Sequence, residues 1–311
     1  MKILITGAAG FIASHVSDAY LALGHEVVIV DNLYSGYLHN VNPRAKFYKI
    51  DVCSPELEEV FATEKPDIVN HHAAQISVPL SVKDPRLDAE VNVKGFINVL
   101  ENCVKYKVKK VIFISSGGAI YGEAEEYPST EKCPTKPLSP YAINKMVSES
   151  YLYFYKHQYG LNYTVLRYAN VFGPRQVSHG EAGVVSIFIE KFLAGVQPNF
   201  YSFEGEPDGM IRDYVYVKDV VKANVLALNT GEGEAFNIGT GIETTTGILY
   251  REIASQMKCD IKPILGQARA GDLHRSLLNA DKAKHVLGWS PDYTLAQGIS
   301  ETIEFFYSKR T

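Results

Sequence analysis

Lys2-Ile-Leu-Ile-Thr6-Gly7-Ala8-Ala9-Gly10-Phe11-Ile12-Ala13 opens the chain, and its reading decides the fold. The run from Lys2 to Thr6 is short, apolar and stopped by glycine, the pattern of a parallel strand buried on both faces. A helical stretch follows to about Leu23, where Gly24-His25 breaks it; Glu26-Val-Val-Ile-Val30 is the second strand, and Asp31 ends it. Strand, glycine turn, helix, strand and acid make a complete βαβ unit. Gly7 permits the tight turn, and Gly10 lets the backbone approach a pyrophosphate at the helix N-terminus, with Phe11 and Ile12 opening that helix. Ala13 stands at the third, packing position, where alanine is tolerated. Asp31 is placed to accept hydrogen bonds from an adenosine ribose and disfavours a 2′-phosphate, so the expected cofactor is NAD rather than NADP. A glycine turn alone is only a tight turn; inside the complete unit it reads as a dinucleotide site.

Outward from this unit the alternation continues. Residues 46–50 read as a strand ending in Asp51-Val52, and residues 67–71 as another ending in His72-Ala73-Ala74-Gln75. A helix over about 85–106 leads to Lys110-Val-Ile-Phe-Ile-Ser-Ser116. Strands alternating with helices predict an α/β chain with a Rossmann-type, doubly wound parallel sheet. The expected division is a first domain over 1–169, joined again by a segment near 213–240, and a smaller α/β domain over 170–311. Ligands of such sheets sit at the carboxyl ends of the strands, where Asp51, Ala73 and Ser116 fall. His71 and His72 are adjacent on a strand and so point to opposite faces, and no metal site is expected.

The bulk numbers bound the function. In 311 residues, 46% are hydrophobic and 21% charged, as in water-soluble globular chains. A net charge of −4 argues against a nucleic-acid surface. No apolar run has the length of a membrane span. Cys53, Cys103, Cys133 and Cys259 are scattered, without metal-ligand spacing, and the N-terminus enters a strand with no leader pattern. Reduced thiols in the cytoplasm are the expectation.

The chemistry is carried by Ser139-Pro140-Tyr141-Ala-Ile-Asn-Lys145 together with Ser116. On a helix, Tyr141 and Lys145 share one face. A free tyrosine, with a pKa of about 10, is a poor base at neutral pH, and a neighbouring ammonium is expected to lower it. A hydroxyl from Ser116 then shares the proton, a general-base arrangement for an alcohol. Tyrosine and lysine at this spacing also occur on ordinary solvated helices. The dinucleotide unit upstream is what favours the catalytic reading.

With these motifs in hand the chain resembles the NAD-dependent epimerase/dehydratase branch of the extended short-chain dehydrogenases/reductases. The resemblance covers nearly the whole length. It rests on Thr6-Gly7-Ala-Ala-Gly10-Phe-Ile, Asp31-Asn32-Leu33, His72-Ala-Ala-Gln75, Ser139-Pro140-Tyr141, Arg167-Tyr-Ala-Asn170-Val-Phe-Gly-Pro174, Arg212-Asp213-Tyr214, Phe236-Asn-Ile-Gly-Thr240, Arg269-Ala-Gly-Asp272 and Lys282-Ala-Lys-His-Val-Leu-Gly-Trp289. It is nearest to members that invert C4 of UDP-hexoses through a 4-keto sugar. It implies Tyr141, Lys145 and Ser116 as catalytic residues, with Ser115 the alternative hydroxyl. Gly7, Gly10, Phe11, Ile12, Asp31, Asn32, Asp51, Val52, Ala73, Ala74, Gln75 and Asn92 would join Tyr141 and Lys145 around NAD.

For the substrate the resemblance implies Asn170, Arg212 and Arg269 on the diphosphate, Asp272 on the ribose, and Ser276 beside the sugar C2 substituent. An arginine taken singly is more often a surface cation; the Arg-Asp-Tyr and Arg-x-Gly-Asp motifs reverse that weighing. A small residue at 276 leaves room for N-acetyl sugars beside UDP-glucose and UDP-galactose. Related 4,6-dehydratases carry Asp-Glu after the catalytic hydroxyl, where this chain has Gly117-Gly118. A UDP-glucuronate 4-epimerase, another nucleotide-sugar oxidoreductase and a non-catalytic NAD sensor are the alternatives. Phe203-Glu-Gly-Glu-Pro-Asp-Gly-Met-Ile211 departs from the branch's usual approach to the Arg-Asp pair. Finally, Tyr151-Leu-Tyr-Phe-Tyr155 is apolar on more than one face. A helix of that kind is buried on both sides, either within the monomer or, as the resemblance implies, in a homodimer through helices near 85–106 and 140–159.

Overall fold

Alternating β-branched and aromatic residues set the sheet. In the computed structural model, which describes residues 1–178, 183–269 and 272–309, seven segments pair: β1 Lys2–Thr6, β2 Glu26–Val30, β3 Lys46–Tyr48, β4 Ile68–His71, β5 Lys110–Ser116, β6 Asn162–Tyr168 and β7 Glu234–Ile238. All neighbours are parallel, in the order β3-β2-β1-β4-β5-β6-β7. The chain winds outward from β1 to β3, then returns past β1 to β4, so the topological switch lies between β1 and β4. Ligand crevices of open α/β sheets form there.

Both faces are covered. Ile3, Ile5, Val27 and Ile29 pack with Val16 and Tyr20 of α1 (Phe11–Ala22) and with Val220 and Ala223 of a helix at Val217–Ala227. The intervening residues Leu4, Val28 and Val30 face the other layer. That layer is α2 (Leu57–Glu64), α3 (Gly95–Lys105) and α4 (Pro140–Tyr159). A period of two along each strand thus feeds two cores. A third core joins Phe172, Tyr214 and Tyr216 to the helices Val184–Leu193, Thr246–Gln256 and Leu295–Ser308.

The catalytic-candidate helix α4 is defined at both ends. The Ser139 hydroxyl accepts from Ala142 N, Pro140 occupies the first turn, and Gly160 with φ +72° terminates it.

Two expectations are corrected. The third strand stops at Tyr48 rather than 50, because Ile50 N folds back on the Tyr48 carbonyl. The helix over 85–106 is three pieces: Pro85–Ala89, a π turn at Glu90–Lys94, and α3. In the π turn the Asn92 carbonyl takes a hydrogen bond from the Ser148 hydroxyl. Of the two readings of α4, burial of both sides within the chain does not hold. Leu152 and Tyr155 are buried, whereas Tyr153 (69% exposed), Phe154 (49%) and Tyr159 (53%) face outward.

Candidate active site

The glycine turn after β1 is held by close backbone contact. Gly7 has φ +75°, and a Cβ there would lie 2.7 Å from Ala73 N, so only glycine lets the ends of β1 and β4 come this near. The N-terminus of α1 at Gly10 carries no side-chain cap and no acid in its first turn, which suits an anion at Phe11 and Ile12. Asp31 is buried; Oδ2 accepts from Ala9 N at 2.9 Å and Oδ1 from Leu33 N at 2.8 Å. Each oxygen keeps a lone pair for a ribose hydroxyl. Burial pushes the Asp31 carboxyl up, against the two backbone bonds that pull it down.

Beside it, Asn32 Nδ2 donates to Asp51 Oδ2 at 2.6 Å, and Asp51 Oδ1 accepts from Cys53 N. The buried Val52 gives its carbonyl to Asn98. The loop after β4 is pinned from two sides. Ala73 N donates to Thr6 Oγ1, and the Asn92 amide clasps both the N–H and the carbonyl of Gln75 at 2.9 Å; Ala74 lies between. An uncapped helix end, a buried acid and a loop locked against the glycine turn fit a dinucleotide.

Ser116 ends β5, and Tyr141 faces it from the first turn of α4. Ser115 is spent elsewhere: it is buried and donates to Glu149 Oε1 at 2.5 Å, which leaves Ser116 as the hydroxyl beside Tyr141. Lys145 is buried; its Nζ donates to the Ile114 carbonyl at 2.9 Å and lies 5.9 Å from the Tyr141 ring centre. The expectation that Lys145 lowers the tyrosine pKa is not met in the chain by itself. Burial pushes the Tyr141 phenol up to about 12, opposed by Ser116 and reinforced by Asp88. Burial likewise pulls the Lys145 ammonium down to about 8, opposed by Asp88 and Glu149. A raised phenol beside a lowered ammonium disfavours the phenolate–ammonium form in the chain by itself. A positive charge added to the site is what would redress this.

Across the cleft, a methyl placed on Gly118 would sit 3.8 Å from both Asn170 Oδ1 and Ser276 Oγ, so these two candidates converge beside the Ser116 strand end. Gly117 has no such space, since its Cβ would lie 2.6 Å from Leu278 Cδ1. Asn170 Nδ2 is buried without a partner among the described residues. Arg212 pairs with Ser276 in a short parallel ladder. Its guanidinium donates only to the Ile211 carbonyl and Met210 sulfur, with no carboxylate in bonding range among the described residues. Burial lowers its pKa, while Tyr214, Asp272 and Glu123 support the charge and Arg269 opposes it. Arg269 lies over the Tyr201 ring at 4.9 Å and is tied to Asp272 through Nε at 3.2 Å. Two cations, an unmet amide donor and a small serine therefore surround one cleft.

The family model for the NAD-dependent epimerase/dehydratase family matches residues 3–239. The chain belongs to that family. Within it, the UDP-glucose 4-epimerase of Mycolicibacterium smegmatis is 45% identical over 99% of both chains. The structure of a Thermotoga maritima UDP-glucose 4-epimerase with UDP-glucose aligns with TM-score 0.97, 46% identity and full coverage of both chains. A UDP-N-acetylglucosamine 4-epimerase from Methanobrevibacter ruminantium, in complex with UDP-N-acetylmuramic acid, aligns with TM-score 0.93 and 34% identity over 99% of this chain and 98% of its own. The Rossmann-type sheet and the use of NAD are those of the family.

Reading this epimerase/dehydratase chain by motif missed several residues around the site. Asp88, Asn144 and Glu149 surround the Tyr141–Lys145 pair, and Glu123 acts on Arg212. The spacing held a signal for the first two: Asp88 and Asn92 are four residues apart, as are Asn144 and Ser148, each pair on one helical face. The loop that departs from the branch is tied down: Phe203 stacks on His274 at 3.6 Å, Glu206 pairs with the same histidine, and Asp208 holds Arg251.

Proposed function

We propose that the chain is an isomerase that interconverts UDP-galactose and UDP-glucose by NAD-dependent oxidation and re-reduction at C4. The observation that carries this reading is the half-buried Arg212 guanidinium with no carboxylate in bonding range among the described residues, set with the unmet Asn170 amide beside Ser276 and the Ser116–Tyr141 end of the sheet. Such a cation suits a diphosphate, because guanidinium forks onto phosphate oxygens and stays charged. Arg269 is the second phosphate ligand and Asp272 the ribose ligand, both from the smaller lobe over 170–311.

Tyr141 as phenolate takes the proton of the sugar 4-OH, and the Ser116 hydroxyl shares it. NAD held in this cradle would supply a reversible hydride acceptor for C4 and a positive charge. Lys145 holds the cofactor ribose and favours the phenolate. The nucleotide stays anchored while the 4-keto sugar turns; Tyr141 then returns the proton to the oxygen. Gly7, Gly10, Phe11, Ile12, Asp31, Asn32, Asp51, Val52, Ala73, Ala74 and Gln75 form the cofactor cradle, which Asn92 braces through Gln75. Gly117 stands where related dehydratases carry an acid, and a Cβ there would press on Leu278 Cδ1.

Ser276 is small and buried, which supports acceptance of N-acetyl sugars as well. The outward aromatics Tyr153, Phe154 and Tyr159 support a homodimer through α4 and the helices of 85–105. The four free cysteines suit the cytoplasm.

The test is incubation of the purified protein separately with UDP-galactose, UDP-GalNAc and UDP-glucuronate, with C4 epimers resolved by NMR. Conversion of UDP-galactose is the expected result, and parallel conversion of UDP-GalNAc supports the open site at Ser276. Conversion of UDP-glucuronate alone reassigns the chain to acid-sugar epimerisation. No conversion of any, with NAD supplied, overturns the reading.

A further inference from the structure

Two helical segments beside the site are joined by polar rungs one turn apart. Asn144 Nδ2 donates to Asp88 Oδ2 at 2.6 Å, and Ser148 Oγ donates to the Asn92 carbonyl at 3.1 Å. Both rungs continue into the loop after β4. Asp88 Oδ1 accepts from Gln75 Nε2 at 2.5 Å, and the Asn92 amide brackets the Gln75 backbone. Asp88 is fully buried, and both of its bonds come from neutral amides. Burying a carboxylate without an ion pair is costly, and truncation to an apolar residue would relieve that cost. Retaining the acid here is hard to explain by stability.

We propose that Asp88 is a positioning residue for the reaction: its carboxylate ties the α4 turn that bears Tyr141 and Lys145 to the cofactor-side loop at Gln75, and lends that pair a fixed negative charge. This rests on the reading that Tyr141 and Lys145 carry the proton transfer. The other groups facing the pair are Ser116 and Phe113 of β5, Glu149 of α4, and His71 and His72 at the end of β4. Burial lowers both histidines, so they stay neutral near pH 7. Asp88 and Glu149 are therefore the two anions acting on Lys145, and Asp88 alone also acts on Tyr141.

The consequence has a direction. A negative charge disfavours the phenolate and favours the ammonium, so it raises both pKa values. Removing it in Asp88→Asn lowers both. The rise of turnover with Tyr141 ionisation and the fall with Lys145 deprotonation then move together toward acid, each by about one pH unit. A scaffold residue would lower the height of the profile without moving it.

The experiment is an ultraviolet phenolate titration of the NAD-loaded protein. The Tyr141→Phe spectrum is subtracted from wild type, and the doubly substituted spectrum from Asp88→Asn, to isolate one tyrosine. The expected result is ionisation of Tyr141 at lower pH in Asp88→Asn. Unchanged ionisation overturns the proposal, whatever happens to turnover. Asn144→Ala, which breaks the rung and keeps the charge, is expected to reduce kcat and leave the titration in place; an equal shift there would assign the effect to geometry and overturn the electrostatic role. Where Asp88→Asn fails to fold, Asp88→Ser leaves space for water and serves the same comparison. The titration needs no substrate, so failure to convert UDP-galactose would count against the proposed function without deciding this one.

Discussion

Replacing Arg212 by methionine should move binding and stability in opposite directions. The guanidinium has five N–H donors, of which the chain engages one with the Ile211 carbonyl and one with the Met210 sulfur. Its charge is disfavoured by burial and has no ion pair among the described residues. Methionine fills similar space without a charge, so the nucleotide-free chain should melt at the same temperature or up to about 2 °C higher. On the proposed role, charge-assisted hydrogen bonds to a diphosphate would contribute about 2–3 kcal/mol, so UDP should bind roughly 30–150-fold more weakly. Calorimetric titration with UDP and a thermal melt without nucleotide read the two effects separately. Arg212→Lys, which keeps the charge and loses the fork, should fall between wild type and methionine in affinity. A melt lowered by several degrees with UDP affinity intact would refute the reasoning and make Arg212 a structural cation.

Tyr141→Phe removes the phenol and leaves the ring, so turnover of UDP-galactose should be abolished while UDP affinity by calorimetry stays within about twofold of wild type. Ser276→Tyr fills the space shared with Gly118 and Asn170; NMR assays should show UDP-GalNAc conversion lost before UDP-galactose conversion. Glu149→Gln leaves the buried Arg167 without the carboxylate it meets through both Nε and Nη2, and urea unfolding should report a loss of about 3 kcal/mol.

Fold and cofactor were legible because their signals are local. Residues 2–31 contain the strand, turn, helix and acid in one stretch, and the strand at Lys110–Ser116 holds the apolar run from Val111 to Ile114. The substrate cleft was legible only by resemblance, since Asn170, Arg212 and Ser276 meet through pairings between segments distant in the chain. The π turn at Glu90–Lys94 left no periodic trace, because what accompanies it is a hydroxyl arriving from another helix at Ser148. Spacing put Tyr141 and Lys145 on one face, but it could not reveal that Lys145 points its ammonium at a strand carbonyl. Apolar pattern likewise marked α4 as covered on all sides. It could not say that Tyr153 and Phe154 are left exposed by this chain's own packing.

The seventh strand has a bearing on how the molecule is made. β6 is almost wholly buried, yet its outer hydrogen-bonding edge is paired only by Glu234–Ile238. During synthesis at about 5–20 residues per second, roughly 3–13 s pass between the emergence of Tyr168 and that of Glu234. Through that interval an apolar strand edge stands open to any neighbouring chain, a template for sticking as much as for folding. A chain cut short between residues 169 and 233 would therefore carry a sheet that looks finished on one side and is adhesive on the other.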